Sequence, residues 1–208
     1  MRPSLLFGAF LALALLASGP ARAGVWVAGG YGFSDELGGF RLISVSGSGS
    51  ITDPIVIVEE ITELDPVTLV IRDMGDRPRD DQVIPVRQFL HLAVIKIVIN
   101  GTGRVWAGFD LELQQDLKQP SVYGDGLSFD QMGAFAGGFH SDSFAVSRQV
   151  FEPYDRVRFQ DGSVDPGATV RFRFFITDPT PVPEFYLLQD PQILMARRWP
   201  PSPSLAAR

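Results

Sequence analysis

Residues 89–113 read FLHLAVIKIVI, NGTGR and VWAGFDLEL, and this stretch decides the fold class. Two apolar, β-rich runs flank the dipeptide Asn100-Gly101. That dipeptide is a strong short-range hairpin signal, because both residues tolerate positive φ. We therefore predict two strands joined by a tight turn, with the rest of the chain arranged around them.

The two arms of the predicted hairpin differ in their burial pattern. The first arm, Phe89–Ile99, is interrupted only by His91 and Lys96, which is typical of a central strand covered on both sides. The second arm alternates, which predicts one buried and one polar face. One face of this arm holds Val105, Ala107, Phe109, Leu111 and Leu113, and the other holds Trp106, Gly108, Asp110 and Glu112.

Short β-rich segments separated by turn residues occupy the remaining chain. The clearest is Ala168–Thr177, with Val170, Phe172 and Phe174 on one face. A helix over Ile55–Leu64 is the alternative to a strand there, but its β-branched start favours the strand. Further strands are predicted near residues 24–33, 40–46, 55–61, 67–71, 143–151, 156–160 and 184–188. The pattern predicts an all-β fold, an antiparallel β-sandwich of about 8–10 strands with Ig-like or jelly-roll topology.

The N-terminal segment has the features of an export signal. Arg2 precedes an uncharged apolar run, and Ala21-Arg22-Ala23 is a small-x-small cleavage pattern. A membrane anchor is the alternative, although the run is short for a span of about 20 residues. We predict a signal peptide over residues 1–23, a sandwich domain over 24–196 and a disordered Pro-rich tail over 197–208. The predicted location is periplasmic or secreted, with no stable membrane span after cleavage.

Composition limits the partners. Removing Arg2 and Arg22 from 18 basic residues leaves 16 against 24 acidic ones, a net charge of −8. An acidic surface does not favour the phosphate backbone, so nucleic acid is not an expected partner. The chain has no cysteine, which excludes disulfides and thiolate sites.

Several motifs together resemble exported bacterial β-sandwich proteins of the type that carries a PEP-CTERM or related sorting tail. They are the Asn100–Gly103 turn, Trp106 and Phe109 on the next strand, residues 161–167 (DGSVDPG), Ile176-Thr177-Asp178 and residues 185–191 (FYLLQDP). Pro183-Glu184 matches the sorting signal, but no apolar helix follows it, so an anchor is not expected. The resemblance implies an extracytoplasmic location and a binding or structural role.

Catalytic motifs are sparse. His91 and His140 are the only histidines, and two histidines alone do not form a three-ligand metal site. His140-Ser-Asp-Ser143 places triad residue types side by side, but no Gly-x-Ser-x-Gly elbow accompanies it. Calcium is the more plausible metal for an acidic exported chain. Its candidate oxygen ligands are Asp73, Asp76, Asp80 and Asp81, then Asp125 and Asp130, then Asp161 and Asp165, and none of these sets has the spacing of a calcium loop. No cofactor is predicted.

The candidate ligand-facing residues are Trp106, Asp110 and Glu112. An aromatic ring beside two carboxylates is typical of a sugar-binding platform, and paired carboxylates also hydrolyse glycosides when they lie roughly 5–9 Å apart. We predict a non-enzymatic exported sandwich with a structural, adhesive or binding role, its partner a glycan or an envelope protein. The alternatives are a carbohydrate-active hydrolase and a calcium-stabilised surface protein.

Overall fold

Twelve β-strands and no helix form the part of the chain that the computed structural model describes, which is residues 24–75, 89–122, 124–129, 138–149 and 154–193. The strands are β1 (Val25–Ala28), β2 (Tyr31–Ser34), β3 (Phe40–Ser46), β4 (Ile55–Ile61), β5 (Val67–Asp73), β6 (Leu90–Asn100), β7 (Trp106–Gln114), β8 (His140–Ser141), β9 (Phe144–Gln149), β10 (Arg156–Gly162), β11 (Thr169–Asp178) and β12 (Glu184–Ile193).

The strands form two sheets that pack against each other. One has seven strands in the order β1-β2-β5-β12-β7-β10-β9, and the other has five in the order β3-β4-β6-β11-β8. Every ladder between these strands is antiparallel except β4 with β6, which is parallel. The predicted antiparallel β-sandwich is confirmed, and the Ile55–Leu64 segment begins as a strand rather than a helix.

The predicted hairpin around Asn100 is wrong. β6 pairs with β4 and β11, whereas β7 pairs with β10 and β12 in the other sheet. A two-residue type I′ hairpin needs positive φ at both central residues. Of the residues in this turn only Gly103 has one, at 69°. The turn therefore carries the chain from one sheet to the other instead of folding it back.

Asn100 holds this crossing in place. Its side chain is fully buried. The Nδ2 group donates to the carbonyl oxygens of Arg104 at 2.7 Å and Val164 at 3.0 Å, and Oδ1 accepts from the Thr102 amide at 3.1 Å. A buried amide whose hydrogen bonds are made by loop backbone specifies the local conformation, and here it fixes the path between the sheets.

Aromatic rings fill much of the space between the sheets. The Phe172 ring on β11 lies 4.8 Å from Phe109, 4.7 Å from Phe159 and 6.2 Å from Phe144, measured between ring centroids. The predicted alternation of β11 is confirmed from Thr169 to Phe174, where Val170, Phe172 and Phe174 are buried while Thr169, Arg171 and Arg173 are exposed. Beyond Phe174 both faces are buried, including Thr177, which was predicted to point outward. This strand supplies the middle of the core.

The first arm is central in the five-stranded sheet, as predicted, but its two faces differ. Its even-numbered residues from Leu90 to Asn100 point into the core, and Lys96 is one of them. Its outward residues Ile95, Ile97 and Ile99 are only half-buried. The prediction of cover on both sides is therefore wrong for the outer face.

β12 is longer than predicted because it continues through Pro191. Pro191 pairs with Phe109 of β7 on one side. On the other side β5 starts at Val67, which is opposite Gln189. The missing N–H of Pro191 therefore removes no hydrogen bond from a central ladder, which is the condition under which proline is tolerated in a sheet.

Some predictions concern residues outside the described ranges. These are the signal peptide over residues 1–23 and the disordered tail over 197–208. Within the described ranges, no helix has the length and apolar character needed to cross a membrane.

Candidate functional site

A β-bulge lies between Trp106 and the carboxylates of Asp110 and Glu112, which were predicted to share one face of the strand with it. Along β7, Gly108 pairs with Gln192 and Trp106 pairs with Ile193, so Ala107 is an extra residue without a partner on β12. The extra residue reverses the alternation. Trp106 therefore points into the core, where it is fully buried and its ring lies 5.6 Å from Phe109.

The prediction that Trp106 shares a face with Asp110 and Glu112 is thus wrong, and Trp106 cannot serve as an exposed sugar platform in this structure. Its indole Nε1 donates to the Thr102 hydroxyl at 3.0 Å. A buried indole with a satisfied N–H is a structural residue. The alternation pattern could not reveal the bulge, because no proline or glycine marks Ala107 itself.

Asp110 and Glu112 do lie on one face, where arginines of the neighbouring strand cover them. Cross-strand register places Asp110 opposite Arg158 and Glu112 opposite Arg156. Asp110 Oδ2 accepts from Nη2 of Arg158 and from Nη2 of Arg156, both at 2.7 Å, and Glu112 Oε2 lies 3.4 Å from Arg156 Nη1. The Asp110 side chain is only 1% exposed.

A third carboxylate completes this cluster. Asp190 on β12 is the cross-strand partner of Asp110, and its Oδ2 lies 3.4 Å from Arg156 Nη2. Partial burial raises the pKa of Asp190, while the hydrogen bonds that Arg158 donates to Asp110 raise the pKa of Arg158. Three acidic and two basic side chains thus interlock across β12, β7 and β10. We call Asp110, Glu112, Arg156, Arg158 and Asp190 the outer charge cluster.

The contacts of the outer charge cluster join neighbouring strands of the seven-stranded sheet. A glycosidase needs one carboxylic acid free to protonate the leaving group and a second free to act as a base or nucleophile. Here both carboxylates accept hydrogen bonds from Arg156. Fork-like guanidinium–carboxylate contacts instead fix the register of three central strands.

Among the described residues, the candidate calcium ligands do not form a metal site. The described residues contain no group of three or more acidic or histidine side chains placed to hold a metal ion. Asp76, Asp80, Asp81 and Asp130 lie outside those residues. Asp73 Oδ1 and both Asp125 carboxylate oxygens accept hydrogen bonds from nearby backbone amides, as turn residues do.

Both histidines are exposed on strands of the five-stranded sheet. His91 is exposed on the outer face of β6, with its ring 5.2 Å from Phe175. His140 is exposed on β8. The Asp142 carboxylate accepts from the Arg171 amide at 2.8 Å and from the Ser143 hydroxyl at 3.0 Å, which ties the Ser-Asp-Ser segment to the sheet edge.

Sequence reasoning missed a polar group inside the core. Lys96 and Glu59 are both fully buried, with Nζ 2.5 Å from Oε2, and fully buried Gln189 of the opposite sheet has its Nε2 3.5 Å from the same oxygen. We call these three residues the inner triad. The sequence did contain a signal for its burial, because Lys96 falls on the same alternating positions as the apolar residues Leu92, Val94 and Val98.

Burial acts in opposite directions on the two ionisable members of the inner triad. It raises the pKa of Glu59 and lowers the pKa of Lys96, and their mutual attraction offsets part of each change. Glu59 Oε1 and Gln189 Oε1 have no hydrogen-bond partner among the described residues. Such unpaired buried oxygens are rare in native proteins and call for an explanation.

Asp155 is a second unusual buried acid. Its Oδ1 accepts from the Ser128 hydroxyl at 2.5 Å, while Oδ2 has no partner in the described part of the chain. Burial raises the pKa of Asp155 from 3.8 to about 6. The folded protein therefore holds this proton more tightly than the unfolded chain does, and the group contributes most stability below pH 4 and loses it as pH rises towards 6.

Replacing Asp155 with asparagine is expected to remove this pH dependence. Relative to the variant, the wild type should lose about 2–3 kcal/mol of unfolding free energy between pH 4 and pH 7. Urea melts of both proteins across that range measure the difference. Stability curves that run parallel for the two proteins would contradict the assignment.

The edge strand β1 is the most exposed apolar feature among the described strands. Val25 is 52% exposed, Trp26 38% and Val27 59%. β1 stands at the end of the seven-stranded sheet, and β2 is its ladder partner in the described structure. Edge strands of this kind offer free backbone groups to an added strand.

Comparison with protein-family models, curated proteins and solved structures finds no match for this chain.

Proposed function

We propose that this chain is an exported, non-enzymatic β-sandwich protein with a structural, adhesive or binding role at the cell envelope or outside the cell. The predicted export signal over residues 1–23 and the resemblance to exported proteins of the sorting-tail type support the location. The observation that carries the binding role is the exposed apolar edge of β1, which begins two residues after the predicted cleavage at Ala23.

The partner that this surface fits best is a protein segment with an extended backbone. Backbone hydrogen bonds along an edge supply affinity, while pockets or apolar contacts for alternate side chains supply specificity. Val25 and Val27 lie on one face of β1 and Trp26 lies on the other, so an added strand meets apolar side chains on both faces. A glycan that stacks on the Trp26 ring is the second kind of partner for the same strand.

The test is capture of partners from a solubilised cell envelope, together with a glycan array. Wild type is expected to retain a partner that the Val25→Asp/Val27→Asp variant loses, because charged residues on an edge strand oppose strand addition. Leu64→Asp is the matched control, since Leu64 is 43% exposed but lies in a loop. Empty results from both the envelope and the array would overturn the binding role.

The hydrolase alternative has its own decisive assay. Release of reducing ends from polysaccharides by wild type, lost in both Asp110→Asn and Glu112→Gln, would replace the proposal with a carbohydrate-active enzyme. The arginine contacts of both carboxylates are the reason to expect no such release.

A further inference from the structure

The inner triad brings together an amine, a carboxamide and a carboxyl group in a site closed to water. Lys96 lies on β6 and Glu59 on the adjacent β4, while Gln189 reaches them from β12 across the core. All three are fully buried. On β11, the cross-strand neighbour of Lys96 is Phe172, the ring at the centre of the aromatic core.

One oxygen contacts both reacting nitrogens. Glu59 Oε2 lies 2.5 Å from the Lys96 amine and 3.5 Å from the Gln189 amide nitrogen. A carboxyl group in that position can accept a proton from an attacking amine and deliver it to a departing amide nitrogen. A buried ion pair alone does not need a carboxamide there, least of all one whose oxygen has no donor.

We infer that Lys96 and Gln189 form an intramolecular amide bond between the two sheets, with Glu59 as the proton-transferring group. The Lys96 Nζ lone pair attacks Cδ of Gln189 and forms a new N–C bond. The proton lost by Nζ passes through Glu59 Oε2 to Nε2 of Gln189. The Cδ–Nε2 bond then breaks and ammonia leaves. No group is oxidised or reduced, and no further reactant is required.

The environment favours this reaction in three ways. Burial shifts Lys96 towards the neutral amine, which is the nucleophilic form, and shifts Glu59 towards the protonated acid. The fold holds the reacting groups together, which replaces a bimolecular encounter. The product also suits the core, because an amide cannot be ionised, whereas a buried amine is costly whenever it takes up a proton.

The proposed amide bond would link the two sheets covalently. This inference does not depend on the proposed binding of a partner. The bond joins β6 of the five-stranded sheet to β12 of the seven-stranded sheet. Separation of the sheets then requires breaking a covalent bond. The chain has no cysteine, so no disulfide can give the same cross-link.

The test is the intact mass of the purified, fully denatured protein. Wild type is expected to be lighter than its sequence by the mass of one ammonia molecule, and a digest should contain a branched peptide that joins Lys96 to Gln189. A full sequence mass, with these residues in separate linear peptides, would overturn the inference. Loss of one water instead would place the bond on Glu59 and would also overturn it.

Three variants sharpen the result. Lys96→Met and Glu59→Gln are expected to keep the full mass, since one lacks the amine and the other lacks the proton-transferring carboxyl. Ammonia loss that persists in Lys96→Met would come from another site, such as Asn100-Gly101, and would count against the bond. Gln189→Glu should lose water and reach the same final mass as wild type, because both routes give an identical amide. The wild-type measurement remains decisive even where a variant fails to fold.

Discussion

Phe172→Ala is expected to lower the free energy of unfolding by about 3–5 kcal/mol, which is the cost of removing a buried aromatic side chain from a packed core. Phe172 is fully buried, and three other phenylalanine rings surround it. Its removal opens a cavity that touches both sheets. Urea melts followed by tryptophan fluorescence should show the transition midpoint move to much lower denaturant.

Phe89→Ala is the matched control for this loss. Phe89 is the same residue type but is 52% exposed, just before β6 begins. Its truncation is expected to change the unfolding free energy by no more than about 0.5 kcal/mol. Equal losses in the two variants would mean that the rings around Phe172 do not form the core described here.

Glu59→Ala is expected to cost about 3–5 kcal/mol, because it leaves the Lys96 amine buried without its partner. The variant is also unable to form the proposed amide bond, so the loss should lie towards the upper end of that range. Thermal and urea unfolding measure it. A loss in this range would mean that the inner triad stabilises the core, and a loss near zero would mean that it does not.

The neighbouring residue provides the comparison. Glu60 points to the outer face and lies 2.9 Å from Arg41, whose side chain is 69% exposed. Surface ion pairs of this kind contribute at most about 1 kcal/mol, so Glu60→Ala should be nearly neutral. A Glu60 variant as damaging as the Glu59 variant would reverse the inward and outward assignment of β4.

The strands were largely predictable because burial alternates along most of them. β3 and β4 match their predicted bounds, and the inward face of β11 is confirmed residue by residue. Alternation could not predict which strands pair with each other. Asn100-Gly101 has the composition of a hairpin turn, yet its backbone and the buried Asn100 amide carry the chain across the sandwich.

The site predictions failed for the same reason, because a local sequence pattern does not show which distant residues come into contact. Asp110 and Glu112 do share a face, but the arginines that cover them come from a strand more than forty residues later. The bulge at Ala107 moved Trp106 to the opposite face. The inner triad joins residues from three strands that are far apart in the sequence. The only sequence signal for it was that Lys96 falls on the inward-facing positions of β6.

The central position of β12 has a consequence for folding. The last described strand lies between β5 and β7, so the seven-stranded sheet has two separate halves until residues 184–193 are available. Pairings that close large loops form slowly, on a scale of about milliseconds to seconds. The seven-stranded sheet of a nascent chain therefore stays open until residues 184–193 have been synthesised, so this sheet closes late in folding.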